Sequence, residues 1–481
     1  METQKSGAQI SKKAFLQSVL IIFVLMMVAG ILTKVIPAGT FSKTIVDGRE
    51  VIDPNSFQYL ANPDYPIWRW FTAPVEVLFS EGNITLIAII LFILLVGIAF
   101  AVMDKSGILH EVISRIIKKF GGDKYALLLV ISFFFMALGA FFGIFEEVIP
   151  LVPIIIALSF SLGWDSLIGL GMSILATNLG FSLAVFNPFT IGISQQLAEL
   201  PLFSGALPRI LLFFVGYGIL AIFLSKYAKK IDTHPEVSPV YREDFAEKKR
   251  LGAFEAKTTD NPRINRAIAF LTTFFILILA VLVGSSFVSF LSEYALPLTG
   301  LLFVIGGVGS GLIAGAGKET WKAVWDGFLG ISPAIPLLLM AASVRYIVHM
   351  GGILDTLIFS ASGVISNFNP ITAAFAIYGL TLILELFITS GSAKAILLVP
   401  LLIPLADLAG VNRQVAVSAY TFGDGFSNLA YPTNAALLIT LSLTVVSYPK
   451  WVKWILPLWF WIIIITAIFL VLAVLLNYGP F

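Results

Sequence analysis

Gly180-Phe181-Ser182-Leu183-Ala184-Val185-Phe186-Asn187-Pro188 stands in the first half of the chain. Gly425-Phe426-Ser427-Asn428-Leu429-Ala430-Tyr431-Pro432-Thr433-Asn434 stands in the second. Matching the two Gly-Phe-Ser triplets sets Phe186-Asn187-Pro188 against Tyr431-Pro432-Thr433. Upstream, Ser106-Gly107-Ile108-Leu109 answers to Gly351-Gly352-Ile353-Leu354, Pro153 to Pro400 and Gly163 to Gly410, once a two-residue shift is allowed. One order of motifs therefore occurs twice. The loop around the first anchor holds Lys105, Arg115, Lys118, Lys119 and Lys124, whereas the stretch from Gly351 to Asn369 has no Lys or Arg. Basic loops stay cytoplasmic, so equivalent loops are expected on opposite sides of a membrane, and the copies upside down relative to each other.

Composition supports the membrane. The 481 residues are 58% hydrophobic and 12% charged, with mean hydropathy +0.96. Several apolar runs reach the ~20 residues a spanning helix needs. A net charge of +2 decides little, because in such proteins the placement of charge matters more than its sum. With no cysteine, disulfides, thiolate metal sites and thiol catalysis are excluded. His110, His234 and His349 are too few for a histidine-rich metal centre. No cofactor is expected beyond a coupling sodium ion or proton, and no nucleic-acid partner. Lys5, Lys12 and Lys13 precede an apolar run from Ala14 to Ile36 with no small-residue cleavage pattern. It reads as a retained signal-anchor with a cytoplasmic N-terminus, and the C-terminus falls outside the cell membrane.

The expected fold is an all-α polytopic membrane protein built as two inverted repeats. Residues 1–225 form the first repeat: helices within 14–103, a re-entrant hairpin over 124–163, a broken helix over 166–200 and a helix over 206–225. A polar cytoplasmic linker takes 226–266. Residues 267–481 form the second repeat: helices within 267–350, a hairpin over 370–408, a broken helix over 412–446 and a last helix over 452–476. This makes about nine crossings plus two hairpins. Trp68 and Trp70 mark an interfacial helix over Ile67 to Phe79, mirrored by Trp321 and Trp325, since Trp favours the headgroup level. The loop to Glu81, with Asp47, Glu50 and Asp53, is acidic enough for the outside.

A charge at the bilayer centre costs roughly 2.5–3.5 kcal/mol on insertion scales, so each needs a reason. They gather on the repeated elements: Glu146 and Glu147 at the first hairpin tip, Lys394 at the second, and Asp424 beside the second break. Glu147 and Lys394 are equivalent under the repeat. Either they pair with each other, or they offer an anionic and a cationic end to a zwitterion or a carboxylate with a second polar end. Small polar residues concentrate at the breaks: Asn178, Ser182, Asn187 and Thr190 in one, Ser427, Asn428, Thr433 and Asn434 in the other. Proline frees carbonyls there, and unwound backbone at membrane depth is tolerated only where it is buried or lines a cavity. Asn187, Thr190, Ser427 and Thr433 are the candidate ion ligands, and Asn178, Ser182, Asn187, Asn428, Thr433 and Asn434 candidate substrate contacts beside the charged tip residues. The plainer reading is a proline kink with polar capping. Ser390-Gly391-Ser392 at a helix start is a candidate carboxylate receptor. Arg345 and Glu385 are further intramembrane charges, read as functional or as paired or snorkelling. Asp407 and Arg209 are placed near the interfaces.

Hairpin, broken helix and helix, repeated with Gly-Phe-Ser and Asn-Pro or Pro-Thr-Asn at the breaks, resemble the ion transporter superfamily. Ile36-Pro37-Ala38-Gly39-Thr40-Phe41 and Tyr431-Pro432-Thr433-Asn434 look like the YfcC-like branch of the anaerobic dicarboxylate carrier (DcuC-like) family. The likeness spans nearly the whole chain. It implies scaffold helices, a transport domain of hairpins and broken helices that moves in an elevator-like way, and a homodimer. It also implies small carboxylates or amino acids as substrates, with arginine/ornithine-type exchange for this branch. Members of the dicarboxylate/sodium type carry Ser-Asn-Thr at both tips, where this chain has Gly-Ile-Phe-Glu-Glu and Thr-Ser-Gly-Ser-Ala-Lys.

The residues thus point to a secondary transporter of small amino acids or related carboxylates, basic amino acids favoured by the acidic first tip. A dicarboxylate or other small organic anion carrier is the alternative, and a channel the alternative of another class. An enzyme would need a nucleophile–base or metal constellation, and no Cys or His lies near the breaks.

Overall fold

The computed structural model describes residues 12–46, 49–53, 56–80, 83–119, 123–251, 261–285, 287–365 and 368–480. Lys5, Asp47, Glu81 and the middle of the linker, 252–260, lie outside them. Among the described residues ten helices are long and apolar enough to cross a membrane, and Pro370–Leu384 is a shorter apolar one. The protein is an all-α polytopic membrane protein.

The order of elements repeats. In the first half Asn83–Lys105 is followed by Ile108–Lys119, Lys124–Phe142, a 3₁₀ turn at Glu146–Leu151 with Val152–Ser161, then Ser166–Leu183, a break, Pro188–Leu197 and Ala206–Thr233. In the second half Ala334–Met350 is followed by Leu354–Ile365, Pro370–Leu384, Gly391–Leu408, Arg413–Ser427, a break, Ala435–Ser442 and Tyr448–Leu475. Packing exchanges partners between the halves. Lys12–Val35 and Trp68–Glu76 lie on Ala334–Met350, while Ser289–Ala314 and Lys318–Ile331 lie on Asn83–Lys105. Small residues permit these approaches, as is usual between helices in a membrane. Gly327 faces the Gly97 carbonyl, and Gly30 lies against the indole of Trp70. In Trp68–Glu76, Trp68 stays exposed while Trp70 is buried, and Arg69 pairs with Glu76 at 2.5 Å.

Both hairpins close at their bases. The Tyr125 and Trp164 rings are 5.8 Å apart, and Gly410 sits against Pro370. The first tip turns at Gly143, whose φ of +67° is left-handed and suits glycine. The same residue must lack a side chain for a second reason: a Cβ there would meet Asn187 Oδ1 at 2.2 Å.

Several expectations change. The breaks are narrower than the polar stretches that marked them: the first helix stays wound through Asn178 and Ser182 to Leu183, and the second through Asp424 to Ser427. The register of the repeat also shifts by two residues inside the breaks. Asn187 and Asn434 are the equivalent pair, each opening the following helix with the same cap. The stretches around Ile108 and Leu354, expected as loops, are short helices, and the loop after the first helix pairs Gly39–Thr40 with Gln58–Tyr59 and Lys43–Val46 with Arg49–Ile52. The helix expected to end at Ser225 runs to Thr233, burying Ala228 and Ile231, and the linker holds a helix at Tyr241–Leu251. The last helix starts at Tyr448.

Candidate substrate and ion site

The two tips and the two breaks meet. Phe186 N–H donates to Ala140 C=O at 3.0 Å, joining the first break to the helix before the first tip. Ser392 Oγ donates to Phe189 C=O at 3.1 Å, joining the second tip to the first break. Tyr420 OH donates to Gly391 C=O at 2.7 Å. The turn at Glu146–Leu151 packs on the helix that follows the second break. The two broken helices cross where Gly425 lies against Ser182, with room for no side chain at 425.

At this meeting point Lys394 is wholly buried, and its ammonium is held by Asp424 at 2.8 Å and by Glu385. The expected alternative of a Glu147–Lys394 pair is therefore wrong. Glu385 sits on the C-terminal end of its own hairpin limb and reaches Lys394 across the tip, whereas Glu147 turns back to accept Phe145 N–H at 3.1 Å. Glu146 and Glu147 make no ion pair among the described residues, and Glu146 lies within electrostatic reach of Asp424. Each carboxylate on Lys394 uses one oxygen. Glu385 Oε1 and Asp424 Oδ2 have no hydrogen-bond partner among the described residues, nor does Thr190 Oγ1. Gly391 fixes where these groups meet: a Cβ there would lie 2.9 Å from Asp424 Oδ2 and 3.1 Å from Thr190 Cγ2.

The break asparagines are caps. Asn187 Oδ1 accepts Phe189 N–H at 2.9 Å and Thr190 N–H at 3.3 Å, and its amide reaches Phe181 C=O. Asn434 Oδ1 accepts Ala436 N–H at 2.9 Å and Leu437 N–H at 3.3 Å, and its amide donates to Asn428 Oδ1 at 2.9 Å. Ser390 caps the second tip's helix. Ser182 and Ser427 return their hydroxyls to their own helices. Freed carbonyls are largely spoken for as well. Arg209 holds Val185 C=O, Trp459 holds that of Phe426, Trp451 that of Leu429 and Tyr448 that of Ala430. As ion ligands Ser427 and these carbonyls are weakened, and the Thr190 and Thr433 hydroxyls have no partner among the described residues. Asn178 stands apart, its Oδ1 without a partner among the described residues and beside an apolar crevice against Phe426, Trp459 and Ile462.

Arg209, in the first turn of Ala206–Thr233, is wholly buried, because the first break offers it a carbonyl and Tyr478 offers its OH at 3.1 Å. Arg345 is exposed, as the snorkelling alternative allows. One group was missed. Tyr420, four residues before Asp424 and so on the same helix face, could have been found by that spacing.

Interrupted helices whose breaks and hairpin tips enclose charged groups inside a polytopic bundle are the architecture of secondary carriers. The chain belongs to the DcuC family, described as C4-dicarboxylate anaerobic carriers, whose model matches residues 15–475. A protein of Escherichia coli K12, YfcC, provisionally named a basic amino acid antiporter, is 30% identical over 91% of this chain and 92% of its own. An uncharacterised protein of Haemophilus influenzae is 27% identical over 82% of this chain and 77% of its own. Among solved structures, the YdaH transporter of Alcanivorax borkumensis aligns over 97% of this chain and all of its own, at 16% identity and TM-score 0.42. MtrF of Neisseria gonorrhoeae aligns over 96% and 97%, at 17% identity and TM-score 0.43.

Proposed function

We propose that the chain is a secondary active carrier of basic amino acids of the arginine and ornithine type in the cytoplasmic membrane, working as an antiporter or symporter. The observation that carries this reading is the charge balance at the centre. Glu146, Glu147, Glu385 and Asp424 gather around the meeting of tips and breaks, and Lys394 is the cation paired there among the described residues. Carboxylates in excess complement an α-amino group together with a guanidinium or ammonium side chain. The name given to the Escherichia coli relative agrees. The same reading includes the opposed orientation of the two halves, an elevator-like movement of hairpins and broken helices against the outer helices, and assembly as a homodimer. Sodium or proton coupling belongs to it too, with Thr190, Thr433 and Asp424 as the candidate ligands.

A dicarboxylate substrate is the second reading. The Ser390-capped helix start favours it, because free N–H groups there receive carboxylates, and so does the description of the family.

Uptake into proteoliposomes of labelled arginine, ornithine and a C4-dicarboxylate separates the two. Saturable arginine uptake, competed by ornithine and driven by internal ornithine, is the expected result. Dicarboxylate uptake that neither amino acid competes with would overturn it. Unitary conductance in planar bilayers, in place of saturable flux, would make the protein a channel.

A further inference from the structure

We infer that Lys394 is a built-in stand-in for the transported cation, and that it lets the unloaded carrier reorient. The inference rests on the basic-amino-acid reading and adds a role for one residue to it.

Three facts of geometry support it. Lys394 is enclosed completely, and its ammonium is shared between Glu385 and Asp424. The sharing is incomplete on the carboxylate side: Glu385 Oε1 and Asp424 Oδ2 are buried without a partner among the described residues. The free oxygen of Asp424 is turned to Gly391 and Thr190, on the side where the second tip meets the first break. One ammonium thus occupies half of each carboxylate, and the free half of Asp424 lies toward the meeting of the second tip and the first break.

Charge decides what this does. Buried carboxylates with no counter-charge are costly at membrane depth. Glu385, Asp424 and Lys394 together carry one net negative charge, to which Glu146 and Glu147 add no cation, and a basic amino acid brings one net positive charge to the site. Remove Lys394, and the empty site carries one more uncompensated negative charge, while the loaded site carries no more than the empty site of the unmodified protein. The empty form should then fail to reorient while the loaded form still does. Exchange of substrate for substrate needs only the loaded form, whereas net uptake needs both.

The test is therefore a split between two fluxes measured on one proteoliposome preparation with labelled arginine. Lys394→Met is expected to lower net arginine uptake into empty vesicles at least about tenfold more than it lowers arginine–ornithine exchange. Lys394→Arg, which keeps the charge, should retain both. Lys394→Met combined with Glu385→Gln, which restores the single negative charge, should regain net uptake. That double variant also serves where the single one fails to fold: in it, exchange without net uptake would sink the inference. Lys394→Met with both fluxes intact, or with both reduced in parallel in folded protein, would sink it as well. The underlying reading fails separately, if the unmodified protein moves no basic amino acid at all.

Discussion

Asn187 and Asn434 show how a polar residue in an apolar helix can be structural without ceasing to shape a site. Each ends a stretch of unwound backbone, takes two N–H groups of the next helix on one oxygen, and spans the gap with its amide. Three of these four hydrogen bonds are buried, so water cannot replace the cap there. Asn187→Ala is expected to cost about 1–2 kcal/mol, read as a lower melting temperature in detergent, with Asn187→Ser, which keeps a neutral accepting oxygen, losing less. Equal losses in the two would end the capping assignment. Which residues mattered was partly legible from the chain, because charges and small polar groups in apolar runs need partners. Who those partners are was not. Lys394 and Glu385 lie nine residues apart across a tip whose turn no periodicity specifies, and Arg209 finds Val185 only after the first break has folded.

At the scale of elements, the hairpin limb Lys124–Phe142 and the first broken helix are pressed together through glycines. A Cβ on Gly180 would come within 1.8 Å of Met136 C=O, and one on Gly139 within 2.1 Å of Thr177 C=O. Backbone cannot yield as a side-chain tip can, so Gly180→Ala should destabilise by about 3 kcal/mol or more. Gly379, inside the other hairpin limb, has nothing within 4 Å of its Cβ position. Gly379→Ala should be neutral or stabilise by about 0.5–1 kcal/mol, since alanine loses less freedom in a helix. Thermal unfolding of the two variants side by side checks both, and a tolerated Gly180→Ala would mean that these helices are not in close contact. Element positions were the most legible part of the fold, because long apolar runs and their repeated order mark them. The short helices Ile108–Lys119 and Leu354–Ile365 escaped notice, the first behind its four charged residues and a histidine, and the two π turns at Gly171–Leu175 and Pro188–Gly192 leave no mark in composition.

Across the whole molecule, the linker joins the halves as a docked piece and not merely as a tether. Ser166 N–H and Oγ donate to Asp244 Oδ2 at 2.8 and 3.1 Å, and Ser238 Oγ donates to Asp165 Oδ2 at 2.6 Å. Glu243 pairs with Lys450 at the start of the last helix, and Lys248 lies over the Phe160 ring. The linker thereby grips the base of the first hairpin and the last helix together. Asp165 and Asp244 are both buried here, with Tyr227 and Lys248 as their other ionisable neighbours. Burial first, and then the neighbouring Asp165, push the Asp244 carboxyl up to about 8. A carboxyl raised by docking binds its proton more tightly docked than free. Docking is therefore strongest below the ordinary aspartate value of 3.8, weakens as pH rises from there to about 8, and changes no further from this source above that. The chain has no cysteine, so Val240→Cys, at a wholly buried linker position, gives a single reporter of release. Its labelling by a maleimide in detergent should accelerate between pH 6 and about 8 more steeply than thiol ionisation alone provides. Adding Asp244→Asn, which stays uncharged at every pH, should remove the excess. If both proteins label with the same pH profile, the linker's grip does not depend on Asp244.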